Sequence, residues 1–299
     1  MLNLIFSRLD TRAYQEYALE HFSELCRPRP QDSHKGTFGT VGVIGGAKGM
    51  SGAAVLAATA ALYGGCGKVL VGFNQSTPPV CSGRWELMSD CATDVWVQHA
   101  DKVDTWVVGC GLGRDETAVR LSAEVWNGGA QLVVDADALH ILSENSQLFA
   151  PNKGTDLVLT PHPYEAAQLL DTSVAQIQSN RDWAARELAS RYRAWVVLKG
   201  HETVISSARG FLVVNPTGNA GLATAGSGDV LAGLIGSLLA QKIPAEQAVP
   251  AAVWLHGAAA DLLVSAQTGP VGLLAGELPE AVRWLRNRII SGSLNEKNT

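Results

Sequence analysis

The stretch TVGVIGGAKGMSGAAVLAATAALYGGCGKVLVGF, residues 40–73, decides the fold class. It opens on an apolar, β-branched run (TVGVIG, 40–45), crosses a glycine-rich turn and an Ala-rich helical run at 51–63, and returns to a second β run (KVLVGF, 68–73). A strand, a helix and a strand in that order make a parallel pair with a helical crossover. The alternation continues outward, with strands expected at 104–109, 131–135, 156–160 and 195–199. Helices are expected near 115–127, 137–149, 163–170, 173–193, 228–241, 251–266 and 275–290, with Pro250 marking the start of one of them. The runs TVIS (203–206) and FLVV (211–214), joined by Ser207–Gly210, read as a hairpin on the sheet edge. Ahead of the first strand, residues 11–26 read as a helix and 27–36 as a polar loop with two prolines. Strands that are apolar nearly throughout need cover on both faces. The expectation is an α/β protein, a three-layer α/β/α sandwich on a mostly parallel sheet. With no Pro/Ser linker, low-complexity tract or internal repeat, it reads as one domain.

Composition narrows the function. The chain has 299 residues, 46% hydrophobic and 17% charged, with net charge −5 and pI near 5.8, which argues against a broad basic nucleic-acid surface. Five cysteines with no C-x-x-C pair fit reduced thiols better than a disulfide framework or a zinc site. The start, MLNLIFSRLD, is short for a signal-peptide core and lacks its positive flank, and no uninterrupted apolar run reaches the ~18 residues of a membrane span. A soluble, cytoplasmic protein is expected.

The unusual residues gather at one end of the β runs. Gly45-Gly46 follow the first strand, GCGLG (109–113) the third, Asp135-Ala136-Asp137 the fourth, Thr160-Pro161-His162 the fifth and Lys199-Gly200 the sixth. Carboxyl ends of parallel strands are where open α/β sheets bind ligands. Lys199, closing an apolar strand, needs a phosphate or a carboxylate as partner. His162, stiffly placed between two prolines, reads as a ligand contact. Asp135 and Asp137 read equally as helix caps or as groups that orient substrate or a Mg²⁺-bound water. His256, in VWLHGAAADLL, reads as a core histidine. GCGLG lacks the G-x-G-x-x-G spacing, there is no G-x-x-x-x-G-K-[ST], and His201-Glu202 does not continue into H-E-x-x-H. The seven histidines show no metal-ligand spacing.

The chemistry is expected at NPTGNAGLATAGSGDVLAGLIGSLLAQ, residues 215–241. A glycine-rich loop turns at Gly226-Ser227-Gly228-Asp229 into an apolar helical run. A helix opening at Gly228-Asp229 aims unpaired N–H groups and the positive end of its dipole at that loop, which makes an anion site, most often for phosphate. Asp229 at its mouth reads as a helix cap, a proton acceptor, or both.

In combination, HKGTFGTVGVIGG, MSGAAVLAA, VVGCGLG, VVDADAL, LTPHPYEAAQLL, VVLKGHETVI and the 215–241 block resemble the ADP-dependent NAD(P)H-hydrate dehydratases of the ribokinase-like superfamily, over about residues 34–285. The resemblance implies a ribokinase-like domain at 34–299 behind an N-terminal helix and loop at 1–33. It implies a repair enzyme that phosphorylates the C6 hydroxyl of hydrated NADH or NADPH (NADHX, NADPHX) from ADP, with ATP as the alternative donor, and eliminates phosphate. Asp229 would be the base, Gly226, Ser227 and Gly228 the anion hole, and Mg²⁺ would be held through nucleotide phosphates rather than by a protein cage. Lys199, Gly200, His201, Glu202, Thr203 and Gly228 would contact the AMP part; Ala53, Gly111, His162 and Asp229 the hydrated dinucleotide. Many members carry an epimerase domain in front of this one; with some 35 residues there, that activity is expected to be absent. A homo-oligomer, a tetramer, is expected. The sequence departs from the family pattern at Cys110 (for Pro), Tyr164 (for Gly), Ala225 (for Gly) and Ser227 (for Thr), and Tyr164 bears on pocket shape. Two rival readings stay open: a ribokinase-like kinase for a small alcohol, whose product keeps the phosphate, and a non-catalytic nucleotide-binding protein.

Overall fold

The computed structural model describes Phe6, residues 9–81 and residues 83–296. Its centre is a nine-stranded sheet. The strands are β1 (Thr40–Gly45), β2 (Lys68–Phe73), β3 (Met88–Cys91), β4 (Thr105–Val108), β5 (Gln131–Val134), β6 (Leu157–Leu159), β7 (Trp195–Leu198), β8 (Val204–Ser207) and β9 (Leu212–Val214). Their spatial order is β3-β2-β1-β4-β5-β6-β7-β8-β9. All neighbouring pairs from β3 to β7 are parallel, and β8 and β9 join antiparallel as the edge hairpin. The order reverses between β1 and β4, where the connections on either side leave in opposite directions; such a switch point opens a crevice beyond the strand ends.

Helices cover both faces, as the unbroken apolar strands require. On one face lie α2 (Ser51–Gly64), α9 (Ser227–Ala240), α10 (Ala245–Ser265) and α11 (Leu278–Glu296), sharing a core with Val41, Val43, Val69 and Val107. On the other, α3 (Ala92–His99), α4 (Glu116–Asn127), α5 (Asp137–Glu144), α6 (Pro163–Leu170), α7 (Val174–Ser179) and α8 (Arg181–Tyr192) pack on Ile44, Trp106, Val108 and Val134. The first helix, α1 (Arg12–His21), lies against α10 and α11, with Tyr17 stacked on Trp254 at 5.4 Å between ring centroids. Helices α2 and α9 run close because Gly233 has no side chain: a Cβ there would lie 2.0 Å from the Ala57 carbonyl oxygen. At the far end of α2, Arg286 and Arg29 donate to the carbonyls of Gly64 and Gly65, cations where the helix dipole favours them. This holds the helix whose first turn carries Ala53.

The structure corrects several boundaries. Strand β3 and helix α3 had no counterpart in the sequence reading, because Met-Ser-Asp-Cys is polar, short and largely exposed, as an edge strand permits. The expected helix at 173–193 is two helices, since the Asn180 side chain accepts from the Trp183 N–H and starts a new one. The helices expected at 11–26 and 137–149 end earlier, at His21 and Glu144, and the last begins at Leu278. Pro250 does not start its helix. α10 begins at Ala245, and the carbonyl that Pro250 cannot serve belongs to the exposed Glu246, where water reaches it. At 21 residues and mean hydropathy 1.4, α10 has the length and apolarity of a membrane span, yet 83% of that window is buried inside the protein, as in a core helix.

Candidate active site

Because β1 and β4–β7 are parallel, their carboxyl ends share one rim, and the residues following them meet there. Asp135, just past β5 and 1% exposed, accepts from the Thr160 hydroxyl at 2.8 Å and from Lys199 Nζ at 2.5 Å. Lys199 thus has the carboxylate partner its position demanded. Burial alone would lower its pKa, but Asp135 and Glu165 outweigh that and raise it, so the ammonium stays charged. Asp135 and Asp137 are not helix caps. The N-cap of α5 is Ala136, at φ 47°, with no side-chain cap, while Asp137 accepts from the Gly113 N–H at 2.9 Å and from Arg114 Nε at 3.1 Å.

Helix α9 opens toward this pair. Its N-cap is Gly226, at φ 91°, a left-handed conformation that suits glycine. No side chain caps the helix; the Ser227 N–H donates to the Thr224 carbonyl at 3.4 Å, and the next amides, of Gly228 and Asp229, remain available. The expected capping role of Asp229 is therefore wrong: it stands in the third helical position, and its side chain meets the Cys110 thiol instead. Cys110 Sγ and carboxylate oxygens of Asp135 and Asp229 all lie within 4.8 Å of one another. Burial, reinforced by the Asp135 charge, raises the Asp229 pKa to about 6, against the pull of the Cys110 hydrogen bond and Lys199. A carboxylate in that range is ionised at neutral pH yet basic enough to take a proton. Burial likewise drives Cys110 well above the usual thiol range. Lys199 Nζ lies 3.3 Å from where a Cβ on Gly228 would stand, so an anion at the α9 amides also meets the ammonium.

His162 is half-used before any ligand arrives. Its Nδ1 accepts from the Tyr164 and Glu165 amides, capping α6, while Glu165 accepts from the His162 N–H at 2.8 Å. Burial raises Glu165 to about 7, and burial lowers His162, helped by Lys199. The side chain of His162 remains 47% exposed on the rim.

The expected nucleotide residues fall together. Lys199, Gly200, His201, Glu202, Thr203, Ser227 and Gly228, with His162, line a cavity of about 700 Å³. The Asn215–Asn219 turn and His256 of α10 complete its wall. The 199–203 segment is braced by Arg181, which donates to the Leu198 carbonyl at 2.8 Å and the Lys199 carbonyl at 3.2 Å, and by Thr203 Oγ1 on the Gly200 carbonyl at 3.0 Å. Ala53 and Gly111 are in contact: a Cβ on Gly111, at φ 59°, would lie 3.0 Å from Ala53 Cβ. Gly226 touches Leu56 of the same helix, tying this group to the start of α9. Gly111 follows Cys110, whose thiol meets Asp229, and so links Ala53 to the Asp229 side of the site, while His162 feels the charges of Asp135 and Lys199. Sequence reading underrated Cys110, Glu165 and Arg181, whose roles arise only from contacts between distant segments. It assigned His256 to the core; the residue is buried, 6% exposed, and also borders the cavity.

Mg²⁺ has a place here only as a hydrated ion carried by phosphates. Asp135 is taken by Lys199 and Cys110 is a soft donor, so these groups form no octahedral oxygen cage, though the two carboxylates can meet water ligands of such an ion.

Comparison with known proteins identifies the family. Residues 41–283 match the sequence model of the NAD(P)H-hydrate dehydratase family. An ADP-dependent (S)-NAD(P)H-hydrate dehydratase from Neisseria meningitidis is 52% identical over 273 residues, 90% of this chain and 92% of that protein. The bifunctional NAD(P)H-hydrate repair enzyme of Escherichia coli is 38% identical over 95% of this chain, which spans 54% of that longer protein. Among solved structures, an ADP/ATP-dependent NAD(P)H-hydrate dehydratase from Bacillus subtilis, co-crystallised with ATP and Mg²⁺, superposes with TM-score 0.81 at 31% identity, over 92% of this chain and 97% of that one. The chain, an α/β/α sandwich of the ribokinase-like kind, belongs to the NAD(P)H-hydrate dehydratase family.

Proposed function

We infer that the chain is an ADP-dependent hydro-lyase that restores NADH and NADPH from their C6-hydrated forms, NADHX and NADPHX. The observation that carries the mechanism is the start of α9: uncapped amides, with the raised carboxylate of Asp229 on one side and the Lys199 ammonium on the other. Hydroxide is a poor leaving group, so the C6 hydroxyl is first phosphorylated. Asp229 takes the hydroxyl proton as its oxygen attacks the terminal phosphorus of ADP, and AMP leaves. The anion hole at Gly226, Ser227 and Gly228, through the open Gly228 amide, and the Lys199 ammonium hold the transferring phosphoryl group; catalysis is by positioning and charge stabilisation. The ring nitrogen lone pair then expels phosphate, and loss of a C5 proton completes the dihydropyridine. Bound Mg²⁺ supplies charge neutralisation on the phosphates.

On this reading Lys199, Gly200, His201, Glu202, Thr203 and Gly228 bind the AMP part, and Ala53, Gly111, His162 and Asp229 the hydrated dinucleotide. ADP is the donor, and ATP the alternative to compare in the same assay. We further read residues 34–299 as one catalytic domain with residues 1–33 as its extension. We read the setting as cytoplasmic from the sequence, whose five cysteines include no C-x-x-C pair. A homo-oligomer, a tetramer, fits the exposed Val80, Trp85 and Val97, and light scattering would test it.

The decisive assay incubates hydrated NADH with ADP and follows both absorbance near ~340 nm and free phosphate. One NADH and one phosphate per ADP consumed is the expected result. A phosphorylated product that keeps its phosphate would make the protein a small-molecule kinase instead.

A further inference from the structure

The base of the proposed reaction has a thiol for a partner. Asp229 stands in the first turn of α9, and among the described residues no N–H or O–H donates to its carboxylate; the Cys110 side chain is its hydrogen-bond partner. Asp135, the other acid beside it, is served differently: its Oδ1 takes Lys199 Nζ at 2.5 Å and the Thr160 hydroxyl at 2.8 Å. Cys110 Sγ and oxygens of the two carboxylates lie within 4.8 Å of one another. Two like charges at such range oppose each other's ionisation, and a donor to the charged form of one of them favours that form.

Sequence and packing hold the thiol in this place. Cys110 is 0% exposed, in the turn that follows β4. Its carbonyl accepts from the Gly46 N–H at 2.9 Å, and the Leu112 N–H closes the turn on the Gly109 carbonyl at 3.1 Å. A Cβ on Gly45 would lie 2.2 Å from the Cys110 carbonyl oxygen, so the end of β1 rests directly on it. Burial and the neighbouring carboxylates keep the thiol protonated, which makes sulfur the donor. The family pattern carries proline at this position, and proline has no side-chain donor, so the contact comes with the cysteine.

No other group around Asp229 takes its place. Lys199 also favours the ionised carboxylate but is bonded to Asp135, and Asp137 at the start of α5 works the other way. Helix α2 brings no titratable group over residues 51–62, and His256 of α10 is neutral above about pH 4. Glu277, on the turn whose Ala275 approaches Gly226, accepts from the Leu274 N–H at 2.9 Å.

We propose that Cys110 is a positioning residue for the base: its S–H donates to the Asp229 carboxylate and keeps it ionised beside the Asp135 charge. This rests on Asp229 being the base. In the reaction the C6 hydroxyl proton passes to an Asp229 oxygen, while the thiol keeps its own proton. The test follows NADH recovery from hydrated NADH at saturating ADP, from about pH 5 to pH 9, for the wild type, Cys110→Ala and Cys110→Ser. The wild-type rate falls on the acid side with a midpoint near 6. In Cys110→Ala, which keeps the space and loses the donor, that midpoint rises by about one pH unit, the worth of one hydrogen bond to a charged group. Cys110→Ser, with a hydroxyl donor, brings it back toward the wild-type value. Glu165 titrates nearby, at about 7, but is common to all three proteins, so the difference between them reports Asp229. ADP affinity changes by less than about twofold, because the phosphates meet Lys199 and the Gly228 amide. A wild-type midpoint in Cys110→Ala overturns the proposal, and so does an equal loss of rate in both variants with no shift, which would make Cys110 a packing residue. Wild-type turnover in Asp229→Asn removes the base reading itself; an inactive Asp229→Asn beside an unshifted Cys110→Ala removes this inference alone. Should the Cys110 variants not fold, the S–H stretching band of the unsubstituted protein decides. One component of it shifts as pH passes through about 6 and is missing from Asp229→Asn; a band with no such component overturns the proposal.

Discussion

Helices α6 and α9 both begin at the ligand rim, and they begin in opposite ways. α6 closes its own start: His162 Nδ1 takes two of its amides, Glu165 answers on the His162 N–H, and Pro163 lacks an N–H altogether. α9 stays open past its first residue. Gly226 turns the chain without offering a side-chain acceptor, the Ser227 N–H alone is met, by the Thr224 carbonyl, and the Ser227 hydroxyl donates to the Leu222 carbonyl rather than capping. A capped helix start is a structural joint, whereas an uncapped one beside a lysine is an anion site. On the proposed reading, that difference assigns the phosphate to α9 and leaves His162 on the rim of the site.

The largest effect expected from breaking this contrast is at Gly228. Gly228→Val puts a branched side chain where the amides approach phosphate and pushes it toward Lys199 Nζ. Two or three charge-assisted hydrogen bonds are lost, so ADP affinity, read by calorimetry, should fall by on the order of 10³-fold or more. Wild-type binding would dismiss α9 as the anion site. Lys199→Gln is the next step down. Glutamine can still donate to Asp135, which spares the several kcal/mol, roughly 3–5, of stranding a buried partner, but it brings no charge to the phosphates. ADP affinity should fall about 10–100-fold with little change in melting temperature. A large melting loss with intact affinity would make the lysine purely structural.

A stability measurement sharpens the contrast from the Asp229 side. Its folded pKa, about 6, lies above the ordinary 3.8. Between those values the folded chain holds a proton that the unfolded chain has released, so stability falls as pH rises through that window and the cost is complete above it. Asp229→Asn removes the cost. It should be more stable than wild type at pH 8, by on the order of 1–3 kcal/mol, with the gain shrinking toward pH 4. Melting curves at the two pH values would show no such trend if the carboxylate were comfortable when ionised. The smallest effect belongs to His162→Asn. Asparagine is a good N-cap, so melting should change by under about 0.5 kcal/mol, while KM for hydrated NADH rises as the ring leaves the rim. A loss of stability without a change in KM would confine His162 to capping.

Much of this was legible from the sequence because strand ends announce themselves. Val-rich runs that stop at Gly109, Asp135, Thr160 or Lys199 place their last residues on one rim once the sheet is parallel, and parallelism follows from the alternation. What stayed hidden depends on contacts the linear pattern does not encode. Met88–Cys91 pairs at the sheet edge with too little apolarity to announce a strand, and Asn180 breaks a helix by capping the next. His256 lies in a run so apolar that a core reading is the natural one; it is buried, and only the fold shows that it also borders the cavity. Asp229 read as a cap because aspartate often is one; a glycine in the left-handed region had already ended that role.

The most direct test of the account is Asp229→Asn, with ADP affinity and the rate of NADH recovery measured in one preparation. If α9 binds the phosphates and Asp229 takes the proton, the variant binds ADP at least as well as wild type and turns over on the order of 10²–10⁴-fold more slowly, the range for a positioned acid–base group. A folded variant that restores NADH at the wild-type rate would contradict it.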